Sequence, residues 1–438
     1  MKARLVPVYF PSGKDDEFSR QLSRLKRLLA GEAEILTPVA LGSTLPEADA
    51  ILFPQLLGDA FKQITDFRQI DLPILIITSE FGTVAMWDWE IVSFLKDAGL
   101  NIFAPYDLEL TKTVCKCLGV KRELKQTKFL VFQDNPGEGF QADIFKRFYW
   151  WEDSCTQSIK EKFGITIEKR SFKAFGEKAK QIPDAQAEAV LKKWHFKTEG
   201  VSTRALYSAI KIYIAIKQEI GNDGAIKGVG INCLNESRFS DTTPCLAWNM
   251  LFEECGLLWA CEADTISLTT KYILHKSLNV PIMMSNIYPF LMGMTALKHE
   301  KIDKFPSVEN PENHLLVAHC GYLGVVPESF ATTWQLKPKV LGIVDKNATA
   351  IDARLPIGNL TLAKLDLTFN KLMIAEGYLE DYVQYPGSDC RNGAVVRISN
   401  GHKMMNSFYS HHNCLIADHW SKEIANLAKV FDLEIEAF

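Results

Sequence analysis

The sequence predicts an α/β protein with two Rossmann-like parallel-sheet domains, followed by a C-terminal α+β domain built around an antiparallel, barrel-like sheet. Three observations lead to this prediction. The chain of 438 residues is too long for one hydrophobic core. Short apolar runs alternate with helical patterns up to about residue 290, which is typical of parallel sheets covered by helices. Beyond that point, apolar runs with a period of two residues are separated by turn signals, which indicates antiparallel strands.

The first domain is predicted to span residues 1–125. It begins with a buried strand over residues 3–10 and an amphipathic helix over residues 16–30, whose apolar side chains recur on one face. The alternation continues with further apolar runs at residues 34–38, 50–54, 73–78 and 101–104. No glycine-rich phosphate-binding pattern follows any of these runs, so the sequence disfavours nucleotide binding.

The second predicted domain, residues 126–292, continues this pattern. A strand is predicted at residues 128–132, and helices are predicted at residues 140–163, 173–195 and 201–220. The stretch from Gly228 to Tyr288 then has the pattern of strand, loop, helix, strand, helix and strand. The aromatic cluster at residues 148–151 fits a hydrophobic core or a subunit interface better than a sugar-stacking site, because aromatic side chains dominate both.

The third predicted domain, residues 293–438, is rich in strands. Its period-two apolar runs lie at residues 315–320, 339–345, 348–355, 360–367, 371–379 and 394–399. A strand at residues 413–419, a helix from Ser421 to Phe431 and a strand from Leu433 to Phe438 complete the chain. These runs predict an antiparallel sheet or a small barrel.

The charge and the apolar runs of the sequence limit the classes of molecule that we expect it to bind. The formal net charge is −4, with 49 basic and 53 acidic residues, so nothing favours nucleic acid or an anionic membrane. The sequence contains no run of about 18 apolar residues that would cross a membrane. Its N-terminal segment lacks the features of a signal peptide, from which we expect a cytoplasmic protein. Most of the ten cysteines lie inside apolar runs, as buried hydrophobic residues do.

Three carboxylates follow two neighbouring predicted strands. Glu236 follows the apolar run that ends near Cys233, and Glu262 and Asp264 follow the run that ends at Cys261. Open α/β sheets bind ligands at the carboxyl ends of their strands. Carboxylates there serve general acid–base transfer or bind a hard divalent cation. Acidic residues in such places also cap helices, and position alone favours that simpler interpretation for Glu262 and Asp264.

Four of the nine histidines fall between residues 402 and 419. His411 and His412 precede a predicted strand, so their side chains should point to opposite faces of an extended chain, and at most one of them should join a given site. Two carboxylates and one imidazole leave coordination positions open. This set suits a six-coordinate Mn²⁺ or Mg²⁺ that binds a chelating substrate better than it suits a closed structural zinc site.

Five motifs in the second half of the chain occur in a characteristic order. They are Cys233-Leu234-Asn235-Glu236 preceded by Ile231-Asn232, Thr-Pro-Cys-Leu-Ala at 243–247, Ala-Cys-Glu-Ala-Asp-Thr at 260–265, His-Cys-Gly at 319–321, and Ser-His-His-Asn-Cys-Leu-Ile at 410–416. In this order and spacing, the chain resembles the L-fucose isomerase family and, more distantly, the L-arabinose isomerases. The resemblance covers residues 228–438, and before residue 225 only the α/β architecture agrees.

The resemblance implies an aldose–ketose isomerase that binds a divalent cation, usually Mn²⁺, with Mg²⁺ or Co²⁺ as alternatives. Its metal ligands fall on Glu236, Asp264 and His412, with His411 as the less favoured histidine. Glu236 and Asp264 also fall on the proton-transfer positions. The resemblance further implies a homo-oligomer, commonly a hexamer, that acts on a free monosaccharide.

Interconversion of an aldose and a ketose moves a proton between C1 and C2 through an enediolate, which a bound cation stabilises. Glu262 is a candidate partner of a sugar hydroxyl or of the histidine, and His411 and Arg391 are weaker candidates for substrate contact. Two other functions stay open. One is a metal-dependent sugar epimerase or lyase that uses the same enediolate chemistry, and the other is a non-catalytic cytoplasmic protein that binds sugar.

Overall fold

The structure is a computed structural model. It describes residues 1–55, 60–81, 88–134, 143–149, 151–234, 236–292, 307–319, 328–339, 347–384 and 392–438. The chain forms two compact units. The first comprises Met1–Lys125, Lys276–Asn279 and Lys422–Leu433, and the second comprises Gln126–His275, Val280–Ser421 and Glu434–Phe438. The three-domain division, with boundaries after residues 125 and 292, stays a prediction.

Residues 1–125 form alternating strands and helices. These are β1 (Ala3–Tyr9), α1 (Asp16–Leu28), β2 (Ala33–Ile35), β3 (Val39–Ala40), β4 (Ala50–Phe53), α2 (Ile64–Phe67), β5 (Ile74–Ile76), α3 (Asp88–Asp97), β6 (Ile102–Phe103) and α4 (Leu108–Leu124). The sheet is parallel, in the order β2-β1-β4-β5-β6, and β3 pairs with the end of β1. Asp15 caps α1 by accepting a hydrogen bond from the Phe18 amide, and Phe18, Leu22 and Leu25 form its buried face.

A second parallel sheet follows residue 125. The elements up to residue 292 are β7 (Lys128–Phe132), α5 (Phe145–Phe148), α6 (Asp153–Phe163), β8 (Thr166–Arg170), α7 (Phe172–Gln181), α8 (Asp184–Leu191), α9 (Thr203–Ile220), β9 (Ile226–Ile231), α10 (Cys245–Cys255), β10 (Leu258–Cys261), α11 (Thr265–Leu278) and β11 (Met283–Pro289). Strands β10-β9-β7-β8 pair in parallel in that order. Every residue of β10 is buried, as expected for a parallel strand covered on both faces.

Two helices that the sequence predicts as continuous are interrupted. The predicted helix at residues 173–195 divides into α7 and α8, because Ile182 is extended ahead of Pro183 and the residue before a proline disfavours helical geometry. The predicted helix at residues 140–163 likewise contains the separate helices α5 and α6, with Glu152 extended at the start of α6. Residues 135–142 and Trp150 lie outside the described residues.

The C-terminal strands close into a barrel. The remaining elements are β12 (His314–Ala318), β13 (Thr333–Pro338), β14 (Thr349–Arg354), β15 (Gly358–Leu365), β16 (Lys371–Gln384), β17 (Asn392–Ile398), α12 (Gly401–Asn406), β18 (His412–Ala417), α13 (Ser421–Val430) and β19 (Glu434–Ala437). Antiparallel pairing runs β15-β18-β11-β12-β17-β16, and β16 pairs again with β15. Strands β13 and β14 form a separate ribbon, and β19 pairs in parallel with β16.

The barrel and the two parallel sheets confirm the predicted fold class. The predicted strand at residues 339–345 lies, after its first residue, outside the described residues. Among the described helices, none has the length and apolar character needed to span a membrane. Most of the described cysteines are buried, as predicted, whereas Cys255 at the end of α10 is exposed.

Helix α11 carries a lysine in the protein core. Lys271 is fully buried, and its Nζ donates a hydrogen bond of 2.9 Å to the Trp259 carbonyl oxygen. The same nitrogen lies 3.3 Å from the centre of the Trp259 ring. Burial favours the neutral amine and lowers the pKa of Lys271 to about 7.

Replacement of Lys271 should therefore stabilise the protein in a pH-dependent way. In the unfolded chain the lysine regains its usual pKa of 10.5, so unfolding takes up a proton between about pH 7 and pH 10.5, and the wild-type protein gains stability across that window. We expect Lys271→Met to raise the free energy of unfolding at pH 7, on the order of 2–4 kcal/mol, with a much smaller gain at pH 10.

Urea unfolding of both proteins at the two pH values measures this difference. Replacement of the exposed Lys160 by Met is the matched control and should give no pH-dependent difference. An equal gain from Lys271→Met at both pH values would show that the buried amine does not change its protonation on folding.

Candidate active site

The predicted carboxylates lie at the carboxyl ends of two adjacent strands. Strands β9 and β10 pair in parallel, with Cys261 opposite Ile231, and Glu262 begins the turn after β10. Glu262 and Ala263 both have a φ of 55°, in the left-handed region that costs non-glycine residues about 1–2 kcal/mol each. A Cβ on Gly230 of β9 would lie 3.1 Å from the Ala263 Cα, so this glycine leaves room for the turn. Two consecutive strained residues at a strand end are typical of functional sites.

Asp264 ends this turn and accepts hydrogen bonds from four donors. Its side chain is fully buried, and Oδ1 accepts the Ser267 amide at 2.8 Å, which caps α11. Oδ2 accepts the Ser267 hydroxyl at 2.7 Å, the Lys364 ammonium at 3.1 Å and the His412 Nδ1 at 2.9 Å. Burial opposes ionisation, but Lys364 and His412 outweigh it and hold the pKa of Asp264 well below its usual range. The helix-cap interpretation of Asp264 is therefore correct, and the same carboxylate also orients a histidine.

His412 is the first residue of β18 and lies between two carboxylates. Its ring stacks on Tyr149 with 5.1 Å between the ring centres, and both side chains are buried. The Nε2 atom lies 3.5 Å from Glu262 Oε1 and has no hydrogen-bond partner in the part of the chain that the structure describes. Burial lowers the pKa of His412, but the hydrogen bond to Asp264 and the nearby carboxylate of Glu262 outweigh that effect and raise it.

Glu262 is a permanently charged member of this cluster. Its Oε2 accepts a hydrogen bond of 3.2 Å from the Tyr149 hydroxyl. Burial opposes its ionisation, but the close approach and the charge of His412 lower the pKa of Glu262 to about 2. Glu262, which the sequence suggested only as a substrate or histidine partner, thus contacts the same imidazole as Asp264 from the opposite nitrogen.

The expectation that only one of His411 and His412 can join a site is wrong. Their ring centres lie 4.2 Å apart, because β18 begins at His412 and His411 belongs to the preceding bend, where side chains do not alternate. His319, which follows β12, is a third member, with its ring centre 5.9 Å from that of His412. Burial and the charge of His412 lower the pKa values of His319 and His411 to about 3, so both are neutral.

His319 presents a second unpaired imidazole nitrogen. Its Nδ1 is 3.0 Å from the Asn286 Oδ1, while its buried Nε2 has no hydrogen-bond partner among the described residues. The sequence contained a signal for this residue, because His319 begins the His-Cys-Gly motif. Lys364 was also detectable, since it shares one face of a period-two strand with Leu360 and Leu362.

Glu236 is buried after β9 and is oriented by the loop that follows β7. Both of its carboxylate oxygens accept from the Asp134 amide, at 2.9 and 3.0 Å. Arg391 lies outside the described residues. Within the described ranges, no group of three or more His, Cys, Asp and Glu side chains is placed to hold a metal ion. The predicted ligand set of Glu236, Asp264 and His412 therefore stays a prediction.

Comparisons with known proteins identify no family for this chain. No protein-family model matches the chain, and no curated protein matches it. Among solved structures, an ABC transporter solute-binding protein from Burkholderia multivorans is similar over 64% of this chain and 94% of its own, with 12% identity and a TM-score of 0.15. A TM-score this low supports no argument about fold or function.

The ion pair of Lys364 with Asp264 should be important for stability. Both side chains are buried, and removal of one partner from a buried pair costs about 3–5 kcal/mol because a charge loses its compensation. We expect Lys364→Met to lower the free energy of unfolding by this amount, as measured in urea. Addition of Asp264→Asn should recover part of the loss.

The exposed ion pair of Lys192 with Glu188 provides a matched control for Lys364. Lys192→Met should change the free energy of unfolding by less than about 0.5 kcal/mol, because exposed pairs contribute little. A similarly small effect of Lys364→Met would show that the buried pair contributes no more than a surface pair.

Proposed function

We propose that this protein is a metal-dependent aldose–ketose isomerase that acts on a free monosaccharide. The observation that carries the proposal is the buried arrangement of His412, whose Nδ1 is held by Asp264 while its Nε2 faces Glu262. Histidine ligands of metal sites are commonly oriented in this way, by a carboxylate on the other ring nitrogen. The resemblance to L-fucose isomerases covers these residues and supports the same function.

The donor chemistry of the cluster fits a divalent cation. Glu262 supplies a carboxylate with a low pKa, His319 supplies a buried Nε2 that has no hydrogen-bond partner among the described residues, and His412 supplies the Nε2 that faces Glu262 at 3.5 Å. We propose that these three residues bind the cation, in place of the set Glu236, Asp264 and His412 that the resemblance implies. As they stand, no described group of three such side chains is placed to hold a metal ion, so cation binding requires these three side chains to move closer together. Asp264 is assigned to the orientation of His412, because its oxygens already accept from four donors. Oxygen and nitrogen ligands with positions left open suit Mn²⁺, with Mg²⁺ or Co²⁺ as alternatives.

The remaining side chains have separate roles in the proposed reaction. A bound cation would supply Lewis-acid stabilisation of the negative charge that develops on the two sugar oxygens. Glu236 is the carboxylate proposed to move the proton between C1 and C2, and the Asp134 amide fixes its orientation. Tyr149 covers one face of the His412 ring and donates to Glu262, which holds both residues in place.

The assembly and location of the protein belong to the same proposal. The resemblance supports a homo-oligomer, commonly a hexamer, and the cytoplasmic location that the sequence predicts is part of the proposal. Its proposed partner is a monosaccharide, and neither nucleic acid nor a membrane is required.

A sugar panel tests the proposed activity. Aldoses, deoxysugars and acidic sugars are incubated with the protein and Mn²⁺, and ketose formation is measured. We expect turnover of at least one sugar, its loss in EDTA and its return with Mn²⁺, because the charge on the sugar oxygens needs a cation. NMR of products formed in D₂O distinguishes isomerisation, which labels C1 or C2, from epimerisation elsewhere. Full turnover in EDTA would contradict the metal dependence, and sugar binding without turnover would favour a binding protein.

Three variants distinguish the proposed roles. Glu236→Gln should bind Mn²⁺ with the wild-type Kd but lower kcat about 10²–10⁴-fold, because it removes a proton-transfer group. Glu262→Gln should raise the Kd for Mn²⁺ at least about 10–100-fold, the effect typical of losing even an indirect partner of a metal ligand. Asp264→Asn should also lower activity, through the loss of His412 orientation. Calorimetry with Mn²⁺ and kinetics on the same preparations measure both properties, and wild-type kcat in Glu236→Gln would refute its assignment.

A further inference from the structure

Asn232 lies one residue beyond β9, and its side-chain amide is unused by the fold. The residue is fully buried, and neither its Oδ1 nor its Nδ2 has a hydrogen-bond partner in the described residues. Its backbone is fully engaged. The amide nitrogen donates to the Phe132 carbonyl at 3.0 Å, and its carbonyl accepts the Glu236 amide at 3.1 Å. The backbone of Asn232 thus helps to build the turn that presents Glu236, while its side chain makes no hydrogen bond to any described residue of that turn.

An unpaired buried amide is unfavourable for the folded protein. A carboxamide that leaves water needs partners for its donors and for its acceptor, and buried groups without any are rare. An apolar residue of similar size would fill the same space without this cost. A ligand bound at the carboxyl end of β9 would supply the missing partners.

A second amide lies beside Asn232 at the same sheet edge. Phe132 of β7 pairs with Ile231 of β9, so Gln133 and Asn232 occupy the next positions on neighbouring strands. Gln133 is also buried, and its Oε1 lacks a hydrogen-bond partner within the described ranges. The following residue, Asp134, donates its amide to the Glu236 carboxylate. Two underused amides therefore belong to residues at the sheet edge whose backbone, or that of the next residue, contacts Glu236, the carboxylate proposed to move protons.

We propose that Asn232 and Gln133 bind hydroxyl groups of a neutral polyol, and that Asn232 determines specificity for that class. An amide offers both a donor and an acceptor, as a hydroxyl does, so Asn232 can pair with adjacent hydroxyls that donate to Oδ1 and accept from Nδ2. The buried carboxylate of Glu236 at the same sheet edge disfavours an anionic sugar such as an aldonic acid or a sugar phosphate. The identification of the polyol as the sugar substrate rests on the proposed isomerase function.

The test compares Asn232→Leu with Asn249→Leu. Asn249 is a matched control, since it is a buried asparagine within α10 whose Oδ1 also has no partner among the described residues. Binding of ribitol, xylitol, arabinitol and galactitol in the presence of Mn²⁺ is measured by calorimetry, with gluconate as the anionic comparison. Stability is measured in urea, and Asn232→Ala is used if the leucine variant does not fold.

We expect at least one alditol to bind the wild-type protein and gluconate to bind more weakly. Asn232→Leu should lower the alditol affinity about 10–100-fold without loss of stability, because it removes two hydrogen bonds to the ligand and an unpaired amide from the free protein. Asn249→Leu should leave the alditol affinity unchanged. An Asn232 variant that binds alditols within about twofold of wild type, or a wild-type protein that binds none, would overturn the inference.

This inference and the proposed function can fail separately. Alditol binding that depends on Asn232, without turnover of any aldose, would retain the polyol site and reject the isomerase. Aldose turnover with an unchanged kcat/KM in Asn232→Leu would retain the isomerase and reject the role of Asn232.

Discussion

One buried carboxylate, that of Asp264, links three parts of the candidate site. It caps α11 after the parallel sheet, pairs with Lys364 on β15 of the barrel, and holds His412 at the start of β18. A charge with no exposure to water is tolerated only when its lone pairs are satisfied, and here four donors satisfy them. The parallel sheet and the barrel are therefore joined by an interaction that leaves little freedom in the placement of His412.

The buried polar groups of the candidate site differ in whether the described protein supplies them with partners. Asp264 and Lys364 are buried and paired, so they serve the fold. The Asn232 amide and the Nε2 atoms of His319 and His412 are buried and have no hydrogen-bond partner among the described residues, which the fold does not require. The left-handed turn at Glu262 adds local strain at the same sheet edge. Natural proteins keep strained backbone and unpaired buried polar groups chiefly at functional sites. Both features occur together at this sheet edge, which supports a ligand site there.

Several sequence predictions depended on local assumptions that the structure changes. The separation of His411 from His412 assumed an extended chain at both residues, but β18 begins at the second. The sequence indicates a core or subunit-interface position for Tyr149. The side chain is buried, and its ring stacks on His412 while its hydroxyl reaches Glu262. The local sequence pattern correctly indicated that Tyr149 is buried, but burial does not identify which residues its side chain contacts.

The sequence by itself determined the alternation of strands and helices, the antiparallel C-terminal sheet and the position of three carboxylates after two strands. These features follow from hydrophobic periodicity and from the adjacency of parallel strands, which are local properties. The contacts among the site residues depend on closure of the barrel, because it brings Lys364, His412 and Asp264 together from distant parts of the chain. Periodicity carries no information about which buried side chains meet across such separations. The sequence indicated Glu262 as a candidate partner of the histidine, but only the tertiary structure shows that Asp264 orients His412 from the other ring nitrogen.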